Sequence, residues 1–132
     1  MADDESLTSG MGFELLAASL RSDAGDTGAF LEALATKLGG ALPHRVRVER
    51  GGGLFSHQHP VRRLAANLGE WEYVVEAAQG GLAAARTHTV RGISLKSEPL
   101  GLDAWIEELA AELAALAQRS AQDRAALQRL LT

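Results

Sequence analysis

His44-Arg45-Val46-Arg47-Val48-Glu49-Arg50 is the stretch on which the fold turns. Upstream of it, apolar residues recur every three or four positions. Within it, Val46 and Val48 alternate with Arg45, Arg47 and Glu49, the period-two pattern of a strand with one wet face. Gly51-Gly52-Gly53 breaks the run. After Pro60, Arg62, Leu64, Ala66 and Leu68 share one face of a second strand, and a turn falls in Asn67 to Glu70. Trp71, Tyr73, Val75 and Ala77 share one face of a third, opposite Glu72, Val74 and Glu76. Gln79-Gly80-Gly81 reads as a hairpin turn. A fourth strand is expected from about Leu82 toward Leu95. Its apolar phase shifts between Val90 and Ile93, which places a bulge at Arg91-Gly92. Connections this short favour an antiparallel meander, because parallel pairing needs long crossovers.

Working outward, Phe13, Leu16, Ala17 and Leu20 predict a first helix that stops at Asp23-Ala24-Gly25. Asp26 or Thr27 caps a second, with Phe30, Leu31, Leu34, Ala35 and Leu38 as its buried stripe and Gly39-Gly40 as its end. Residues 1–10 are polar and acidic and are expected to be a disordered lead-in, leaving 11–132 as one α+β domain. Downstream, Leu102, Ile106, Leu109, Leu113, Leu116, Ser120, Asp123, Leu127 and Leu130 follow alternating four- and three-residue steps. That is a heptad seam with two polar breaks. The expected architecture is two N-terminal helices, a four-stranded antiparallel β-meander and one long C-terminal amphipathic helix packed on one sheet face. Thirty helical residues span about 45 Å. That exceeds the width of a small sheet, so the helix needs a partner, a kink or a frayed end.

Composition narrows the function classes. The chain has 132 residues, 46% of them hydrophobic and 23% charged, with a net charge of −4. This is globular composition. The chain has no cysteine, which removes disulfides, thiolate metal sites and cysteine nucleophiles. No run approaches the roughly 18–20 apolar residues of a spanning helix. The acidic start lacks the positive flank of a secretory signal. The expected setting is therefore the cytoplasm, away from membranes. Net negative charge argues against a protein held on nucleic acid by its overall field, although a local patch is another matter.

One such patch is legible. Arg45, Arg47, Arg50, Arg62 and Arg63 crowd around a glycine-rich loop that carries Leu54 and Phe55, with His57 and His59 beside it. Arginine forks grip phosphate, and an exposed aromatic stacks on bases or inserts into a partner. A solvated strand face shows the same alternation. His57-Gln58-His59 supplies two imidazoles of a metal site and no third ligand in sequence. Ser56 beside His57 is adjacency without a nucleophile elbow. No catalytic, metal or cofactor residues are assigned.

Met11-Gly-Phe-Glu-Leu-Leu-Ala-Ala-Ser-Leu-Arg21, Val46-Arg-Val-Glu-Arg-Gly-Gly-Gly-Leu-Phe55, Arg91-Gly-Ile-Ser-Leu-Lys96 and Leu102-Asp-Ala-Trp-Ile106 resemble a family of small uncharacterised actinobacterial cytosolic proteins. The resemblance runs from Met11 to the C-terminus. It implies a bacterial cytosolic setting and a start near Met11, and it brings no activity, cofactor or site residue.

Three functions are set against one another. The first is a non-enzymatic protein-interaction or adaptor module that forms a homodimer through Leu116, Leu127, Leu130 and Leu131 or the sheet face. It offers Arg45, Arg47, Arg50, Leu54, Phe55, His57, His59, Arg62 and Arg63 to a protein partner. The second is nucleic-acid binding through the same arginines. The third is a small-ligand carrier or enzyme with a pocket between sheet and helices, lined by Trp71, Tyr73 and Trp105.

Overall fold

A computed structural model describes residues 2–52 and 59–131, the side chains of residues 2–11 and of Ala121 excepted. Four helices and five strands follow the order α1 (Ala2–Asp23), α2 (Thr27–Ala41), β1 (Val46–Arg50), β2 (Val61–Asn67), β3 (Trp71–Ala78), β4 (Gly81–Val90), β5 (Ile93–Leu100), α3 (Leu102–Arg119) and α4 (Ala121–Leu131). The sheet is antiparallel with strand order β1-β2-β3-β4-β5. This is the α+β meander expected, with one more strand and one more helix.

The additional strand comes from a misread turn. Arg91 and Gly92 have φ of 52° and 81°. Two consecutive positive φ values are the mark of a primed hairpin turn, whose twist matches that of the strands it joins. The phase shift between Val90 and Ile93 is thus a reversal of the chain, and the two residues face each other across it. A register shift does occur nearby, between His88 and Thr89.

A second shift decides which residues of β2 face inward. Glu49 pairs with Arg63 and Arg50 with Val61, so Arg62 is an extra residue. Val61 therefore takes the inward position at 3% exposure, and Arg62 points to solvent. The Arg62 stem lies over Gly51, where a Cβ would collide with it. Beyond the bulge the expected face holds: Leu64, Ala66, Leu68, Tyr73 and Val75 are all buried.

The long C-terminal helix is broken. Ser120 is extended (φ −136°, ψ 123°), and its Oγ accepts the backbone N–H of Asp123 at 3.2 Å. It is the N-cap of α4, which satisfies a donor the first turn would otherwise leave open. Asp123 Oδ2 then receives Arg45 Nη2 at 3.1 Å, while Arg45 Nη1 donates to the Asn67 carbonyl oxygen. The two polar interruptions of the seam are thus a cap and an anchor, and of the three remedies the molecule uses the kink. Beyond it, α4 packs on α2 and α1.

The helices lie on the sheet face that carries Leu64, Ala66, Tyr73, Val75 and Ala84, joined with them in one core. The α2 stripe is buried as read, and Asp26 Oδ1 caps it by accepting from Ala29 N–H. Gly39 and Gly40 do not end that helix. It continues to Ala41, because Leu42, one turn after Leu38, is also drawn into the core. Pro43 follows. The first helix spans Ala2–Asp23 and so takes in residues 2–10, for which composition alone suggests no regular structure. Gly12 matters there: a Cβ would sit 2.9 Å from Leu131 Cδ1, so α1 and α4 approach closely at that point.

Candidate interaction surface

The fold pairs four arginines of the predicted basic patch with carboxylates. Arg47 and Arg63 do share the sheet face opposite the helices, but carboxylates interleave with them. Arg47 meets Glu72 at 3.4 Å, and Arg63 meets Glu49 at 3.6 Å and Glu76 at 3.9 Å. Arg50 turns to Glu32 of α2 at 3.1 Å, and Arg45 is held by Asp123. His59 is exposed, with Nδ1 3.2 Å from the Gly51 carbonyl oxygen. Leu54, Phe55 and His57 lie outside the described residues. Among the described residues no group of three His, Asp or Glu side chains converges for a metal.

The residues expected to drive self-association are also accounted for. Leu116 and Leu127 are buried within the chain, at 3% and 1% exposure, and Leu130 and Leu131 pack against the same core. The seam closes on its own molecule. Two of the three aromatics expected to line a pocket belong to the core. Trp105 and Tyr73 are fully buried, their rings 6.2 Å apart and edge-on, and the Phe30 ring lies 6.4 Å from that of Trp105. Trp71 is partly buried and receives Arg86 over its ring at 4.1 Å and His88 beside it at 4.9 Å.

That arginine ties two strands to a helix. Arg86 Nε donates to Glu98 Oε2 of β5 at 3.0 Å, and Nη1 lies 3.2 Å from Glu108 Oε2 of α3. The Glu98 hydrogen bond raises the guanidinium above its ordinary pKa. Burial pushes the Tyr73 phenol up, and the nearby Glu112 charge adds to it. Such a cluster holds α3 on the sheet and leaves Arg86 no free fork for a phosphate.

What remains exposed is elsewhere. Of the large apolar side chains described, Leu15, Val90, Ile93 and Leu95 are exposed, at 70%, 43%, 65% and 61%. Three of the four lie on the β4–β5 hairpin, whose end runs beyond the start of β3 at Trp71. Clustered exposed apolar side chains on a soluble surface mark contact sites, whereas single ones do not. The hairpin is also a free edge of the sheet. The opposite edge, β1, is five residues long and carries Arg47, Glu49 and Arg50, the charged short form that resists pairing. In β5, Lys96 and Glu98 are charges of opposite sign and Pro99 lacks an N–H, whereas Ile93 to Leu95 carries neither a charge nor a proline.

Arg91 belongs to this surface. The other arginines are engaged: Arg21 with Asp103, Arg119 with the Leu68 carbonyl, Arg124 with the Ala117 carbonyl, and the rest as given above, Arg129 included. Only Arg62 and Arg91 have no such partner among the described residues. Arg91 is moreover the one described non-glycine residue with positive φ, a conformation that costs an L-residue about 1 kcal/mol or more. Arg91→Asn is expected to stabilise the chain by about 0.5–1 kcal/mol in urea unfolding, because asparagine suits this turn position. Loss of stability instead would mean that the arginine is held by contacts within the chain.

Arg-Gly is not among the dipeptides that announce a two-residue turn, and period alone does not separate a bulge from a reversal. No family model, no curated protein and no solved structure matches the chain. The reading of function therefore rests on this surface.

Proposed function

We propose that the chain is a non-enzymatic interaction module and that its contact surface is the β4–β5 hairpin: Val90, Arg91, Ile93, Leu95 and the free edge of β5. The observation that carries the reading is the clustering of three exposed apolar side chains, 43–65% accessible, on one protruding hairpin. A partner that covers them removes apolar surface from water, worth roughly 25 cal/mol per Å² before the costs of association. Arg91 adds a cation at the rim that favours a partner with a carboxylate there.

The nucleic-acid reading is the weaker one. Four of its five arginines, Arg45, Arg47, Arg50 and Arg63, already face carboxylates, and phosphate contacts would require breaking those pairs.

A photo-reactive amino acid placed at Ile93 and activated in the native cell tests the proposal. It should yield a discrete adduct, while the same probe at exposed Ala83 near the start of β4 should yield none. Equal labelling from both positions, or none from Ile93, contradicts it.

A further inference from the structure

The backbone hydrogen bonds show what the free edge offers. In an antiparallel ladder, facing residues alternate between pairs that exchange both bonds and pairs that exchange none. Leu68 N–H donates to the Trp71 carbonyl and Thr89 N–H to the Glu70 carbonyl. Stepping along the register from these two bonds, Glu72, Val74 and Glu76 bond to Thr87, Ala85 and Ala83. The backbone groups of Ala84, Arg86 and His88 then point to β5, where they meet Leu100, Glu98 and Lys96. The N–H and C=O of Ser97 and the C=O of Pro99 are left facing outward. Lys96 and Glu98 side chains share the helix-bearing face with Arg86, and their charged groups lie 3.8 Å apart.

We infer that the partner of this edge is a second copy of the chain, paired antiparallel through β5 about a two-fold axis at Ser97; the inference rests on the interaction reading above. A two-fold axis perpendicular to the sheet keeps each face on its own side. Directly opposed residues must then share a face, so the axis has to pass through a residue.

Three positions keep most of the strand overlapped. An axis at Lys96 sets that cation against its own copy, and an axis at Glu98 sets carboxylate against carboxylate. Like charges directly opposed are destabilising. An axis at Ser97 sets Lys96 against Glu98 of the second copy, twice over, and the regular pairing ends at Leu95, the extra residue of the β5 bulge. It also lets the two Ser97 residues exchange both outward backbone bonds. Pro99 has no N–H and withholds one donor on each side, which keeps the pairing modest and dependent on concentration. The product is a continuous ten-stranded sheet with both helical layers on one face.

The absence of native cysteine makes the geometry directly readable. Sedimentation of the full chain should show a reversible monomer–dimer equilibrium. Lys96→Glu, which brings like charges together, should raise its dissociation constant at least tenfold, with no change in thermal unfolding at concentrations where both proteins are monomeric. Ser97→Cys, on the axis, should oxidise to a covalent dimer. Ser94→Cys, exposed on the same strand but beyond the Leu95 bulge and away from the axis, should oxidise at least tenfold more slowly. A chain that stays monomeric at every concentration overturns the inference, as does equal oxidation of the two cysteine variants. A monomeric chain whose Ile93 probe captures a different protein overturns the second copy as partner while leaving the interaction reading standing.

Discussion

Trp105→Ala should lower unfolding stability by about 3–5 kcal/mol, the range for emptying a large aromatic site in a close-packed core. Trp105 is fully buried and in ring contact with Phe30 of α2 and Tyr73 of β3. Its indole N–H donates to the Ala85 carbonyl oxygen at 3.0 Å. One side chain at the start of α3 thus joins a helix, the centre of the sheet and α2. Removal leaves a void that its neighbours fill only in part, and the carbonyl loses a donor. Trp105→Phe keeps most of the volume but not the N–H, and should cost less. Equilibrium urea unfolding of the three proteins checks the order. A loss below about 1 kcal/mol for Trp105→Ala would mean that the space is not closed as described, and would restore the case for a ligand pocket there.

How much of this was legible from residues alone depends on whether period was sufficient. Leu31, Leu34 and Leu38 declare a buried helical stripe, and Tyr73 and Val75 a buried strand face; both hold. The polar residues at Ser120 and Asp123 were visible as flaws in a heptad seam. Their roles were not, because one caps the helix after the break and the other answers Arg45, 78 residues away. The arginines of β1 and β2 look like a binding patch when only the chain order is known. Their carboxylates come from β3, α2 and α4 as well as from Glu49 of β1, and only register and packing bring them alongside. The same limit hid the hairpin. Its importance depends on Ile93 and Leu95 finding no cover from the helices, which is a property of the assembled layers.

The same contrast separates surface from core. Leu116 and Leu127 look like candidates for association and are interior; Ile93 and Leu95 read as the shifted apolar phase of a strand and lie outside. Aspartates at 93 and 95 enter solvated positions, where substitutions move stability by no more than about 0.5 kcal/mol. In a contact they would bury unpaired charge, which costs several-fold more. Stability and association should therefore part company in the Ile93→Asp, Leu95→Asp double variant. The measurement is the native mass of the chain in extracts of its own cells, read beside the thermal unfolding of the purified protein. The wild-type chain should run above its own 13.9 kDa, and the double variant at that mass with an unchanged melting temperature. A double variant that melts normally and still runs with the wild-type complex would contradict the assignment of the β4–β5 hairpin as the contact surface.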